Sequence, residues 1–499
     1  MRKKRLLLNT GTALLNQLIT LISGFIIPRL IIEYYGSSTN GLVSSITQFL
    51  AFFSMMEMGV GAVVRSSLYK PLADKDTINI SKVLISSKRF FNRIGLILCI
   101  YSAVLMIYFP LAVDHRIGYI STGILVGAIA FHSVANYMLG IIYRQLLNAD
   151  QRAYIQFGIY ILTTLLNTLA SVFLIKANAP IEIVKLTASI VLLLNPLLMK
   201  IYVERHYDLN LKLELTEEPL KQKWNGLAQH IATYVLKHAD TLILTWFSTL
   251  ENVSIYYVYH LVTNGLQTLT EILTTGVSSL LGDMYARKEE KNLQRTFSAF
   301  EMVVHTFVTF LYGVAAVLIV PFVSVYTQGI TDANYIVPLF ALLIVVANAS
   351  FCLRMPYNTM IHAAGHFKET QMSSILEATI NVVVSVMLVN RYGLIGVAFG
   401  TLAAMLYRTV YLAWYLQNNI LNRSIFIYFK HMIVDIAVAI SIWFATKWIT
   451  PGTESWFAWI WYAIKVTCVA IPVTIGINSL IYKGIVKDCV RLIMRNNKG

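Results

Sequence analysis

The chain has 499 residues, of which 57% are hydrophobic and 13% charged, and its mean hydropathy is +0.64. A water-soluble chain carries about twice that share of charge, and a disordered one far less apolar content. Lys and Arg number 40 against 25 Asp and Glu, a net charge of +15; on so apolar a chain that excess speaks of membrane topology and not of nucleic acid.

A membrane-crossing helix needs about 20 apolar residues. In chain order, fourteen segments meet that need, at 9–32, 41–64, 91–113, 118–143, 154–176, 181–203, 226–248, 252–281, 297–321, 334–360, 370–390, 394–417, 426–448 and 456–482. The first follows the basic run Arg2-Lys3-Lys4-Arg5. It is too long for a cleaved signal core and is read as a retained span. Backbone groups cannot go unpaired in lipid, and these runs outlast any barrel strand, so the predicted class is an all-α polytopic membrane protein.

The basic residues give an orientation. With the N-terminus inside, thirty of the forty fall in inner loops, five in outer loops and five within spans. That bias places both termini in the cytoplasm of a cell-membrane protein. No loop is long enough for an extramembrane domain, and no Walker, G-x-S-x-G or dinucleotide motif is present, so an enzymatic role is not expected. Cys99, Cys352, Cys468 and Cys489 form no C-x-x-C pair and read as small buried hydrophobes.

The two halves echo each other. Asn167 to Ile175 aligns with Asn381 to Val389 at an offset of 214, and Tyr143 and Ala149 match Tyr357 and Ala363 at the same offset. A duplicated six-span unit follows: an N-terminal lobe over 1–205, a cytoplasmic linker over 206–225, a C-terminal lobe over 226–420, and two added spans with a basic tail over 421–499. Paired lobes are a common build of secondary transporters.

Ionisable groups inside spans are costly and face a partner or a cavity. In the eighth span His260, Asn264, Gln267, Glu271, Thr275 and Ser278 recur at helical spacing along one face. The second span repeats this with Thr47, Ser54, Glu57, Gly61 and Arg65, the seventh with Gln229, Thr233 and Asp240 beside Lys237, and the eleventh with Ser374, Glu377, Asn381 and Ser385. The first carries Asn9, Asn16 and Ser23, after which Pro28 is expected to interrupt the helix before Arg29 and Glu33. For a single Ser, Thr or Asn the plainer reading is an interhelical contact. For Arg29, Glu57, Lys237, Asp240, Glu271 and Arg354 a cavity-facing role weighs more, with internal ion pairs such as Glu57 with Arg29 or Arg65 as the alternative. His362-Ala-Ala-Gly-His366 has metal-ligand spacing, but Gly365 falls in a turn and no metal is assigned. Gly396-Val-Ala-Phe-Gly400 reads as close helix packing.

Asn9-Thr10-Gly11, Pro28-Arg29-Leu30-Ile31, Tyr35-Gly36, Asn40-Gly41-Leu42 and Glu57-Met-Gly-Val-Gly61 before Arg65 resemble polysaccharide flippases of the Wzx type. So do His230 and Ala239-Asp240-Thr241 at the start of the second lobe. The resemblance covers most of residues 1–420. It implies the two-lobed fold of the multidrug/oligosaccharidyl-lipid/polysaccharide (MOP) superfamily, with about 14 transmembrane helices in two six-helix lobes plus two extra C-terminal helices. It further implies movement of polyprenyl-diphosphate-linked oligosaccharides across the cytoplasmic membrane by alternating access, for cell-surface polysaccharides such as O-antigen. Polymerase or glycosyltransferase machinery would be the protein partner.

By that resemblance Arg29, Arg65, Lys237 and Arg354 would meet the diphosphate in a cationic cavity between the lobes. His260, Asn264 and Gln267 would meet sugars, and Glu57, Asp240, Glu271 and Glu377 would couple ions or gate. No organic cofactor is implied; the driving force would be H+, Na+ or the membrane potential, which favours outward movement of an anion by ~2.3 kcal/mol per charge per 100 mV. A multidrug or cation antiporter of the same superfamily is the rival reading, and a membrane enzyme acting on lipid-linked sugars a more distant one.

Reporter fusions check the topology. A C-terminal fluorescent protein should fluoresce, and alkaline phosphatase fused after Asn178 should be active; the reverse pattern would show the orientation inverted.

Overall fold

The computed structural model describes residues 2–113, 118–211, 213, 227–275 and 277–484. Most of the expected 206–225 linker and the basic tail with Cys489 lie outside these, as do the side chains of Gln229, His230, Thr233 and Thr275. The described chain is helical throughout, as a chain whose solvent is lipid must be if its peptide groups are to pair within each segment. It packs as two compact units, Met1–Tyr234 with Thr249–Ser254 and Val235–Ser248 with Ile255–Gly499.

The first unit contains α1 (Arg2–Tyr35), α2 (Ser37–Ala51), α3 (Ser54–Asp74), α4 (Thr77–Ala112), α5 (Tyr119–Leu139), α6 (Ile141–Ala149), α7 (Ala153–Lys176) and α8 (Ile181–His206). α1 lies against α7, α4 against α5, and α8 against both α5 and α7. The polar face of α1 is used in this packing: Asn9 Oδ1 accepts from the Tyr154 N–H at 2.8 Å, and Ser23 meets Thr168 at 2.6 Å. Pro28 does not end α1, contrary to the sequence expectation. A proline removes only its own N–H, and in lipid a bend costs less than a broken helix. Arg29 and Glu33 therefore stay one turn apart, with Nη1 3.5 Å from the carboxylate. Between α3 and α4, Asp76 accepts from the Asn79 N–H at 3.0 Å and caps α4. That bond holds its carboxyl below the usual carboxylate range.

α9 (Leu227–Phe247) and α10 (Leu250–Thr275) lead into the second unit. There follow α11 (Ser278–Ala286), α12 (Glu290–Tyr326), α13 (Pro338–Leu353), α14 (Met355–Ala363), α15 (Phe367–Leu416), α16 (Phe426–Thr446) and α17 (Trp456–Ile481). α13 packs on α15, and α12 carries α16 and α17. The repeat seen in sequence is also a repeat of element boundaries: α6 and α14 are nine-residue helices that begin 214 residues apart, as do α7 and α15.

Ten helical stretches among the described residues are long and apolar enough to cross a membrane. The fourteen sequence segments differ from these for two reasons. Segments 41–64, 226–248 and 252–281 form α2 with α3, α9 and α10, which are helical but too polar or too short to qualify. They carry three of the five polar faces read from the sequence. Segments 370–390 and 394–417 belong to one stretch, Phe367–Leu421, bent at Gly393 (φ 53°, ψ −127°). That positive φ favours glycine, the residue without a Cβ. The two limbs of α15 fold back on each other: Ser385 Oγ donates to the Val397 carbonyl at 3.3 Å, and Asn381 Nδ2 to Thr401 Oγ1 at 3.1 Å. Gly396 and Gly400 sit where the limbs touch, so a Cβ at Gly400 would lie 2.8 Å from Ser385 N and 2.9 Å from the Asn381 carbonyl.

Large apolar side chains such as Ile433, Leu480 and Phe457 stand exposed along α16 and α17, as expected where the solvent is hydrocarbon. Cys352 is buried, but Cys99 and Cys468 are exposed rather than buried as the sequence suggested. In an apolar solvent a thiol has no need of the interior.

Gly400→Ala should lower the thermal midpoint in detergent, since overpacking costs about 1–3 kcal/mol. Gly158→Ala, with nothing within 4 Å of its added Cβ, should leave it unchanged or raise it; equal effects would refute the close packing of the limbs.

Candidate functional site

In the second unit, the α13–α14 junction places Arg354 beside the first limb of α15, and the second limb returns Arg408 to the same point. Glu377 is fully buried and receives both guanidiniums, Arg354 Nη1 on Oε1 and Arg408 Nη1 on Oε2 at 2.7 Å. Two positive charges share one negative charge here, and Arg408 Nε is buried without a hydrogen bond. Arg354 also lies over the Phe351 ring at 4.3 Å, a cation–π contact that a planar guanidinium makes readily.

Asp240, on α9, is buried in the same unit. Its carboxylate accepts from Asn381 Nδ2 at 3.0 Å, Tyr256 Oη at 3.0 Å and Thr401 Oγ1 at 2.6 Å. All three donors are neutral. Dipoles aimed at a carboxylate satisfy its lone pairs while leaving its charge in place, which makes the position suitable for a small cation or a proton. Asn381 and Thr401 come from opposite limbs of the α15 hairpin, so its bend builds this site as well as the Glu377 cluster.

Lys237, one turn before Asp240, is exposed and within electrostatic reach of His238 and His260. His260 stacks on Tyr256, with ring centroids 5.6 Å apart. Along the same face of α10, Asn264 and Glu271 are exposed, and Gln267 Nε2 donates to Glu271 Oε1 at 2.8 Å. Thr263, Thr270 and Thr274 form the strip alongside it, one helical step away, and all are buried.

In the first unit Arg65 Nη1 donates to Gln145 Oε1 at 2.6 Å. Glu57 pairs with Arg144 of α6, a partner the sequence reading did not name. Arg144 Nη1 also reaches the Tyr160 hydroxyl at 3.3 Å. It lines a polar cavity of about 230 Å³ together with Asn16, His132, Asn136, Tyr160 and Asn195. The Asn16 Oδ1 and His132 Nδ1 atoms are buried there without hydrogen bonds.

The structure thus groups Arg354 with Glu377, and Lys237 with His260 near Asp240, while Arg65 and Glu57 are tied to α6. Sequence reasoning missed Arg408, Arg144, Thr401 and two of the three cavity amides, Asn136 and Asn195; Asn16 stood out as part of the polar face of the first span. Arg408 and Arg144 were visible as intramembrane or membrane-edge cations, but their partners lie 31 and 87 residues away in sequence and no spacing rule reaches that far. His362 and His366 do not point to a metal: His362 stacks on Phe367, and His366 Nδ1 lies 2.9 Å from the Tyr415 hydroxyl.

No family model and no curated protein matches the sequence. Solved structures do match the fold. The lipid II flippase MurJ, in an inward closed conformation, aligns with a TM-score of 0.72 over 96% of this chain and 100% of its own, at 14% identity. An inward-facing multidrug resistance MATE family transporter of the MOP superfamily aligns at 0.61 over 81% of this chain and 95% of its own, at 14% identity. A MOP superfamily transporter from Pyrococcus furiosus aligns at 0.56 over 84% and 95%, at 12% identity. At such identities the fold alone is shared: over its described residues the chain is helical, with ten stretches long and apolar enough to cross a membrane, and its fold is that of these solved transporters and flippase.

Glu377→Gln should be strongly destabilising, because breaking a buried ion pair costs about 3–5 kcal/mol. Adding Arg408→Met to it should restore part of the loss of thermal midpoint in detergent. A Glu377→Gln protein as stable as the parent would show that the cluster carries no net electrostatic stabilisation.

Proposed function

We propose that the protein is a flippase for polyprenyl-diphosphate-linked oligosaccharides serving cell-surface polysaccharide synthesis. The observation that carries this reading is the surplus positive charge at Arg354–Glu377–Arg408. A buried cluster one counter-charge short favours an anionic ligand, and guanidinium forks match phosphate oxygens. Arg29, Arg65 and Lys237 add cations on α1, α3 and α9, and the likeness of fold to a lipid II flippase agrees with a lipid-linked substrate. His260, Asn264 and Gln267 offer hydrogen-bonding groups for sugar hydroxyls. Glu57, Asp240, Glu271 and Glu377 are the candidate coupling and gating carboxylates, with Asp240 foremost because its three partners are uncharged.

One observation favours the second reading, a multidrug or cation antiporter. An intramembrane carboxylate satisfied only by neutral donors suits a cation-exchange site, and the chain shares its fold with MATE transporters. The membrane location is the cell membrane, with lipids and the glycan-assembly enzymes as neighbours.

Proteoliposomes separate the readings. The parent should move a fluorescent polyprenyl-diphosphate glycan between leaflets, and a cationic dye should not accumulate. Arg29→Ala or Arg65→Ala should slow flipping at least about tenfold, because a charge-assisted hydrogen bond is worth about 1.5–3 kcal/mol. Full flipping by both variants would remove the phosphate role, and dye exchange without flipping would favour the antiporter.

A further inference from the structure

The most heavily charged buried region of the second unit lies away from these groups, where α16 packs on α12. His305 of α12 is 1% exposed, and its Nδ1 is 2.6 Å from Asp435 Oδ2 of α16. Thr309 Oγ1 donates to the other Asp435 oxygen at 2.8 Å. His305 Nε2 is 3.0 Å from the Tyr357 hydroxyl of α14. One turn earlier on α12, Glu301 is fully buried and bound by Arg423 Nη2 at 2.5 Å. Arg423 is itself fixed by Gln417 and Ser298. His431 of α16 stacks on Tyr482, with its Nε2 3.7 Å from Glu301 and its ring 4.9 Å from that of His305. Tyr428, beside Tyr357, and Lys430, over the Tyr482 ring, complete the titratable groups around the pair.

Two carboxylates face one guanidinium in this network, so with both imidazoles neutral it is short of one positive charge. Burial in a low-dielectric interior penalises that deficit. A single proton closes it, whereas two protons on imidazoles 4.9 Å apart would repel. We propose that the His305–Asp435 pair is a binding site for one exchangeable proton, and that its occupancy sets how firmly α16 is seated on α12.

The hydrogen-bond directions support this. A neutral His305 that donates from Nδ1 to Asp435 must accept at Nε2 from the Tyr357 hydroxyl. A charged His305 donates from both nitrogens, which turns the Tyr357 proton away toward another acceptor. Glu301 is that acceptor: it faces the Tyr357 hydroxyl, and its Oε1 is otherwise buried without a hydrogen bond. Loading the proton therefore satisfies an orphaned oxygen and ties α12, α14 and α16 into one network. Losing it leaves a net negative charge between α12 and α16. Whether the proton is drawn on the imidazole or the carboxylate is a property of the pair.

Nitrogen-15 histidine spectra of the full chain in lipid nanodiscs, recorded from about pH 5 to 9 around the ordinary histidine range, test the site without any transport substrate. One doubly protonated ring signal should vanish in His305→Gln and be lost in Asp435→Asn, while the His431→Gln spectrum retains it. A parent with no charged-ring signal at any pH, or a signal unchanged by both substitutions, would overturn the proposal. Spin labels at Val303→Cys and Ile436→Cys, in a chain whose native cysteines are replaced by serine, read the seating of α16. Their distance distribution should broaden as the proton is lost, and His305→Gln should abolish that pH dependence; the same dependence in His305→Gln would refute the coupling to α16.

Discussion

Glu377 holds one negative charge between two guanidiniums at a depth where lipid offers no counter-ion. Much of the second unit is arranged to make that possible. The α13–α14 break turns Arg354 toward it, and the fold-back of α15 at Gly393 returns Arg408 to the same carboxylate. The cost of an unpaired charge in hydrocarbon is what makes these two helix irregularities worth keeping. The pair also leaves one guanidinium less than fully neutralised, and an anionic ligand is the natural complement of that remainder.

Asp240 answers the same constraint differently. It is satisfied by an amide, a phenol and a hydroxyl, none of which can cancel its charge. The two sites share the α15 hairpin as their scaffold, one limb supplying Glu377 and Asn381 and the other Thr401 and Arg408. A carboxylate with surplus positive charge around it and a carboxylate with only neutral donors are thus built on the two limbs of one hairpin. The first unit has its own version, with the charge of Glu57 met by Arg144 and a cavity of amides beside it.

The fold was largely legible because apolar length and the unsatisfied-backbone penalty leave a membrane chain few options. The 214-residue offset, carried by a handful of matched residues, reappears in the boundaries of α6, α7, α14 and α15. Pro28 misled because a proline that would stop a helix in water is carried through in lipid. The site was legible only in part. Periodicity identified the polar faces around His260 and Glu377, since residues of one helix share a face by spacing alone. It could not supply Arg408 for Glu377 or Arg144 for Glu57, because those pairings depend on how distant helices cross. The network of His305, Asp435, Glu301 and Arg423 was the least visible, because its pairs join residues 122 and 130 positions apart and depend on how α16 packs on α12.

The bend at Gly393 also makes the chain intolerant of a change in length. Both clusters need the limbs in fixed register, with Thr401 opposite Asn381 and Arg408 opposite Glu377. One residue inserted or deleted within the turn would rotate the second limb by about 100°. It would carry the hydroxyl away from Asp240 and the guanidinium away from Glu377 in a single step. Most membrane-protein loops absorb added residues freely; here the length of one turn sets the composition of two sites some two helical turns and four helical turns away.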